Sequence, residues 1–216
     1  MNEKEIILSI AYFPNIHYFT KIISFESIII ETQENYQKQS YRNRCTILSA
    51  NGALNLIIPV LKDHGNKILI KDIKIDKQKK WKHQHWNAIC SAYRNSPYFE
   101  YYEHDIKPMI FSEEENLFQF NLNILKCILN LLRIQKEIKL TNTYLKNYNN
   151  ISDFRYKIHP KINYNEVDKE FSPAKYLQVY SYKFDFVPNL SILDLIFNVG
   201  PDTLLILENS CITLKY

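Results

Sequence analysis

The stretch from residue 5 to residue 31 constrains the fold most. EIILSIA, 5–11, is a short apolar run of the kind a buried strand needs, and Pro14 ends it. IHYFTKIISF follows with apolar side chains at Ile16, Phe19, Ile22 and Ile23, one face of a helix. SIIIE, 27–31, then reads as a second strand. A strand, a short helix and a strand in so few residues close as a parallel pair joined by a right-handed crossover. An α/β fold is therefore expected.

Further along, CTILSA and ALNLIIPV flank Asn51-Gly52, a dipeptide suited to a hairpin turn whose central residues take positive φ. KILIKDIKID, 67–76, alternates apolar and polar residues and is expected to continue the sheet. WKHQHWNAICSAYRNS, 81–96, places Trp81, His85, Ile89 and Tyr93 four residues apart on one helix face, and Pro97 opens a second aromatic segment, PYFEYYEHDI. Residues 113–134 are apolar on more than one face, as in a buried helix. The stretch 141–175 is polar, interrupted by Pro160 and Pro173, and reads as a long irregular connection. Near the end, Ser191 and Asp194 form a capping box and Gly200 closes the helix.

These elements imply one domain over 1–216: 1–80 mainly sheet, 81–140 helical, 141–175 irregular, and 176–216 a C-terminal helical closure. The expected architecture is a mixed sheet with an N-terminal βαβ unit and a β-hairpin, packed by the helical central and C-terminal part.

Composition removes several functions. With 3 glycines, neither a G-x-G-x-x-G nor a G-x-x-x-x-G-K-[ST] phosphate loop is present, and G-x-S-x-G is missing as well. A net charge of +4 without a basic run does not describe a nucleic-acid binder. Cysteines at 45, 90, 127 and 211 are too dispersed for a disulfide or metal framework, so buried free thiols are expected. His83 and His85, two apart on a helix, point in different directions, so no metal site is expected. No apolar run reaches the length of a membrane span, and the N-terminus lacks the basic start of a secretion signal; the chain reads as cytoplasmic.

AYFPNIHYF, YRNRCTI, LIIPV, WKHQHWNAICSAYRNSPYFEYY and FVPNLSILDLIFNVGP occur in this order. Together they resemble the WbqC-like family, tied to synthesis of bacterial surface polysaccharide. The resemblance implies transfer of an amino-acyl (glycyl-like) or acyl group to an amino sugar of the O-antigen, and covers nearly the whole chain except 141–175. It brings forward Pro14, Tyr18, Glu31, Lys38, Tyr41, Asn43, Arg44, Pro59, Trp81, His85, Trp86, Tyr93, Pro97, Ser191, Asp194, Asn198 and Gly200. Where the family often carries Gln-Pro after its first strand, this chain has Ser9-Ile10.

The residues themselves point to the same region. Ligands of parallel α/β sheets gather beyond the carboxyl ends of the strands. The helix start after Pro14 is expected to aim backbone N–H groups there, as an anion site. Glu31 ends the second strand, and NYQKQSYRNRC supplies Tyr36, Lys38, Tyr41, Asn43 and Arg44 directly after it. Arg44 can fork onto a phosphate or carboxylate, or pair with Glu31 or Asp72; Lys38 offers a point charge. His85 titrates near neutral pH and is the candidate for proton transfer with Glu31, or else a half-buried core histidine. Trp86 and Tyr93 line a pocket or the core, and Asp194 and Asn198 serve a ligand or the helix caps. The expected catalytic pair is His85 and Glu31. The expected substrate-binding set is Tyr36, Lys38, Tyr41, Asn43, Arg44, Trp86, Tyr93, Asp194 and Asn198. The expected partner is a small-molecule sugar or sugar nucleotide, held by arginine and by aromatic faces that suit sugar C–H groups; a homo-oligomer stays open and the cofactor unspecified. The competing expectation is a non-catalytic binding or scaffolding protein of the same pathway.

Overall fold

Residues 5–31 fold as the sequence pattern requires: strand β1 (Glu5–Ser9), helix α1 (Ile16–Ser24) and strand β2 (Ser27–Glu31), with β1 and β2 parallel and Glu5 opposite Ser27. The computed structural model describes residues 4–61 and 67–212. Residues 62–66 and 213–216, which fall in the expected sheet region and C-terminal closure, lie outside the described residues, as do residues 1–3.

Two further strands complete the sheet. β5 (Glu137–Leu140) pairs parallel with β2, and β6 (Ser152–Asp153) pairs parallel with β1, giving the order β5-β2-β1-β6. Every strand thus points the same way, and Ser9, Glu31, Leu140 and Asp153 end at one edge. Both outer strands come from stretches read as the end of the helical part and as irregular connection. The two inner strands are buried on both faces, which explains their near-continuous Ile and Leu content.

The hairpin is β3 (Arg44–Ser49) with β4 (Gly52–Ile57), a separate two-stranded sheet rather than part of a single mixed one. Its tip differs by one residue from expectation. Ser49 faces Gly52, so Ala50 and Asn51 form the turn, and of these residues only Gly52 has positive φ (101°). The alternation at 67–76 does not become a strand. A single 3-10 turn at Ile70–Asp72 and isolated bridges Asn35–Leu69, Val60–Ile75 and Lys74–Asn116 take its place. Alternation there serves to bury Ile70, Ile73 and Ile75 against the helical layer, with no neighbouring strand long enough to build a ladder.

Helices α2 (Trp81–Tyr93), α3 (Phe99–Phe111), α4 (Leu117–Leu131), α5 (Tyr164–Val167), α6 (Ile192–Val199) and α7 (Thr203–Asn209) follow. Asn116 caps α4, accepting from Gln119 N at 2.9 Å. No described helix is long and apolar enough to cross a membrane. Of the four cysteines, Cys45 is buried, Cys90 and Cys211 are half-buried and Cys127 is exposed, so burial holds for one of them.

The starts of α1 and α6 meet and cap each other. Ile16 N donates to Leu190 O (3.0 Å) and Ile192 N to Pro14 O (2.8 Å), while Ser191 Oγ donates to Phe13 O (2.9 Å). His17 N bonds Asn189 Oδ1 (2.9 Å) and Tyr18 N bonds Asn15 Oδ1 (3.0 Å). The expected anion site at this helix start is therefore overturned: its N–H groups are already satisfied by the protein. Ser191 caps α6 through Leu193 N, but the Asp194 carboxylate does not answer the cap. It is turned into the core.

Gly200 ends α6 at φ +53°, and a Cβ there would sit 2.5 Å from the Tyr98 ring. Gly200→Ala is expected to cost roughly 3 kcal/mol through strain and overpacking. Gly52→Ala, with nothing within 4 Å of the new methyl, should cost about 1 kcal/mol. Urea unfolding of both variants checks the ranking.

Candidate active site at the carboxyl edge of the sheet

Because all four strands run parallel, the residues that end them converge. Ser9 closes β1, Glu31 closes β2, Thr141 follows β5, and Asp153 and Arg155 belong to β6 and its exit. At their centre lies Arg155, 1% exposed. Its Nη1 donates to Glu31 Oε2 (2.9 Å) and Leu145 O (2.9 Å), its Nη2 to Lys146 O (3.1 Å) and Asp153 Oδ2 (2.6 Å), and its Nε to Asp153 Oδ1 (3.0 Å). All five N–H groups are used, the condition under which a buried guanidinium is tolerated. Tyr144, Tyr148 and Tyr156 stand 4.9–5.7 Å from its centre, as rings that favour a cation do.

Glu31 is wholly buried and also accepts from Thr141 Oγ1 (2.6 Å) and Gln33 N (2.9 Å). A second pair lies beside it. Arg42 holds Glu34 with Nε–Oε1 at 2.9 Å and Nη2–Oε2 at 2.5 Å, and also reaches Ser9 Oγ at 2.8 Å. Burial raises the Glu34 carboxyl, against the opposing pull of Arg42. Ser9 thus joins both systems: it bonds Glu34 and the Arg155 carbonyl. The space among Ser9, Asn15, Tyr18, Tyr41, Arg42 and Arg155 is about 10 Å3, room for about one water.

Arg44 differs from these two arginines. It is half-buried, its side chain forms no ion pair or hydrogen bond among the described residues, and its Nε is buried without a partner. The alternative of pairing with Glu31 or Asp72 is not realised, since Glu31 belongs to Arg155. The charge of Arg44 acts on Tyr36, Tyr41 and His159, and that of Arg42 on Tyr36 and His159. His159 is held below the usual histidine range, first by burial and then by Arg42, Lys161 and Arg44. Its Nδ1 accepts from Lys161 N (3.1 Å), which leaves Nε2 to carry the proton as a donor. Arg44, His159 and the exposed Lys161 make this rim a place where an anion would find uncompensated positive charge.

A family model described as the WbqC-like protein family matches residues 11–183. The chain belongs to that family. It is also similar to the "Uncharacterized protein Rv1507c" of Mycobacterium tuberculosis (strain ATCC 25618 / H37Rv), 25% identical over 93% of this chain and 95% of that protein. No solved structure matches it.

The residues expected at the site divide into three places. Glu31, Tyr36, Tyr41 and Arg44 lie at the carboxyl edge, Tyr36 and Tyr41 half-buried, with Lys38 exposed beside them. Asn43 is buried and donates to Ile58 O (2.8 Å). His85 lies under α2, 5% exposed, with Nδ1 3.0 Å from the Tyr12 hydroxyl and its ring edge-on to Trp81. Burial pulls its pKa to about 4, opposed by a hydrogen bond with the Ile57 backbone. Trp86 stacks on Phe99 (6.0 Å). Tyr93, Asp194 and Asn198 form a third group, in which Asp194 accepts from Tyr93 (2.8 Å), Tyr176 (2.6 Å) and Gln178 (3.0 Å), and Asn198 donates to its carbonyl (2.7 Å). That network ties α2, α6 and the 176–178 segment. It satisfies a buried carboxyl that burial nonetheless raises.

Sequence reasoning missed Ser9's partners, Glu34, Arg42, Arg155 and His159. The signal for Arg155 was SDFRY, an arginine between aromatic residues inside a polar stretch; nothing distinguished Arg42 from Arg44.

Two outcomes follow. Arg155→Ala leaves Glu31 and Asp153 without their cation and should cost about 3–5 kcal/mol, whereas Arg155→Met with Glu31→Leu should recover much of that loss; urea unfolding measures both. An unfolded histidine binds its proton near pH 6.5 but folded His85 only near 4. The unfolded state therefore holds more protons between those values, and stability falls as pH drops through this window, by on the order of 3 kcal/mol from this residue. His85→Gln should flatten the pH 7-to-4.5 difference in unfolding free energy; an unchanged difference would contradict the assignment.

Proposed function

We propose that the protein acts on a phosphate-bearing amino sugar at the carboxyl edge of the parallel sheet, as a transferase that places an amino-acyl or acyl group on the sugar amine during surface-polysaccharide synthesis. One observation carries the reading: Arg44, alone among the three arginines here, has no counter-ion, and it stands with Tyr36, Tyr41, His159 and Lys161 at the rim. A phosphate or pyrophosphate would complete its fork of donors, and Lys38 would add a second charge. Tyrosine faces suit the sugar ring. In the transfer, the neutral amine attacks the acyl carbon of an activated donor, the N–C bond forms, the bond to the donor's leaving group breaks, and the ammonium proton passes to a base.

The base is where the competing reading gains support. Glu31 is held by Arg155 and Glu34 by Arg42, and His85 is buried against Tyr12 and bonded to the backbone of Ile57, the residue opposite Arg44 in the hairpin. An edge with a free cation, whose carboxylates Glu31 and Glu34 are both engaged by arginines, suits binding without chemistry: a sugar-nucleotide-binding or scaffolding protein of the same pathway.

The two readings separate in one experiment. Nucleotide-linked amino sugars are incubated with an activated glycine donor, followed by mass spectrometry, with thermal shift run in parallel. A transferase gives a glycyl mass increase. A binding protein gives only stabilisation, about 2.7 kcal/mol at a hundredfold excess over the dissociation constant. Under either reading Arg44→Ala should weaken binding about tenfold or more while leaving the melting temperature of the free protein nearly unchanged. Undiminished binding by that variant would remove the anion site.

A further inference from the structure

A second cleft opens at the other end of the molecule. It is formed by α3, the C-terminal end of α4 and the Gly200–Leu204 turn, and its volume is about 380 Å3, within the size range of small-ligand pockets. Arg133 lies shortly before Glu137, which begins β5. The cleft is therefore on the amino side of the sheet, and it shares no residue with the Arg44 rim.

Its lining combines the exposed Tyr101, Asp105 and Arg133 with the buried Tyr102. Tyr101 is 73% exposed on the surface of α3, and its ring meets that of Tyr102 edge-on at 4.8 Å. Tyr102 is itself 7% exposed, yet its hydroxyl has no partner among the described residues. Asp105, one turn after Tyr101 on the same helix face, and Arg133 both line the cleft, and both act on the Tyr102 hydroxyl. Neither pairs with the other or with any other described side chain. Arg133 has φ +56° at the end of α4, where Arg133 N bonds Asn130 O (3.0 Å) and Ile134 N bonds Leu129 O (2.8 Å). Helices that end with these two bonds usually place glycine at that position. Here an arginine occupies it, at the mouth of the cleft.

We propose that this cleft is a carbohydrate subsite that binds one uncharged or amino-bearing pyranose ring. The exposed Tyr101 ring offers an apolar face for the C–H groups of the sugar. The planar carboxylate of Asp105 and the guanidinium of Arg133 each offer two adjacent positions, matching neighbouring hydroxyls or an amine on Asp105. A phosphate would face the Asp105 carboxylate. A purely apolar ligand would leave Asp105, Arg133 and the Tyr102 hydroxyl without partners as water is expelled. A sugar satisfies both halves of the lining. The subsite stands apart from the transferase or binding reading of the sheet edge and does not depend on it.

The test is saturation-transfer NMR on the full chain with glucosamine, N-acetylglucosamine, galactose and glucose at tens of millimolar, together with amide shift mapping. Transfer to ring C–H protons of at least one sugar is expected, with shifts at Tyr101, Tyr102 and Asp105. Tyr101→Ala, at an exposed position that should leave the melting temperature unchanged, should weaken that binding about tenfold. Asp105→Asn should weaken glucosamine more than glucose. Arg44→Ala should leave all of it intact. No transfer from any of the four sugars overturns the proposal. Binding that survives Tyr101→Ala, or that disappears with Arg44→Ala, overturns it as well, the latter by assigning the sugar to the sheet edge.

Discussion

A guanidinium buried among three parallel strand ends is the constraint around which this protein is arranged. Arg155 would be costly in the interior without its partners, because a desolvated charge must recover its lost hydration. It recovers it from Glu31 and Asp153, which end two of the strands, and from the Leu145 and Lys146 carbonyls. The connection after β5 must therefore fold back over the sheet edge to bring those carbonyls within reach. Tyr144 and Tyr148 of the same connection, with Tyr156 just past β6, cover the cation. A stretch of polar, proline-interrupted sequence thus acquires a fixed course with few apolar residues to bury.

The same accounting sorts the arginines of the site. Arg155 and Arg42 each have a buried carboxylate, Arg155 using all five donors on the protein and Arg42 four of them. Arg44, two residues from Arg42, has neither. Positive charge that the protein compensates is architecture, and positive charge it leaves free is available to a ligand. In the helical part the same distinction holds for carboxylates. Asp194 is consumed by two tyrosines and a glutamine, whereas Asp105 is left open beside an open arginine.

Local patterns carried much of the fold. The two Ile-rich runs around a helical face were enough for β1, α1 and β2, since strands buried on both sides need continuous apolar residues. The aromatic spacing of 81–93 and the apolar stretch within 113–134 were likewise enough for α2 and α4. β5 and β6 were not legible because they are short and depend on β2 and β1 for every hydrogen bond. EIKL has no strand identity without a partner. The 67–76 alternation misled for the complementary reason: period two reports a face to bury, and a 3-10 turn with single bridges can bury it too. At the sheet edge, NYQKQSYRNRC supplies both Arg42 and Arg44, and only Arg44 stands at the rim. The division of labour between Arg42 and Arg44 depends on Glu34 and Arg155, and no spacing rule links residues 9, 34, 42 and 155. The capping box at Ser191 read correctly for the serine, while Asp194 was claimed by Tyr93 and Tyr176 from distant segments.

The late origin of the outer strands has a consequence for how the chain is made. β1 and β2 leave the ribosome together, but the strands that flank them follow only after residue 136. At roughly 5–20 residues per second, the nascent pair waits for several seconds with both hydrogen-bonding rims open. Ile6, Ile7, Ile28 and Ile30 are the kind of side chains that recruit stray partners during such a delay. Production of this protein should therefore be unusually sensitive to translation speed and to chaperones that shield emerging chains, whatever its final stability.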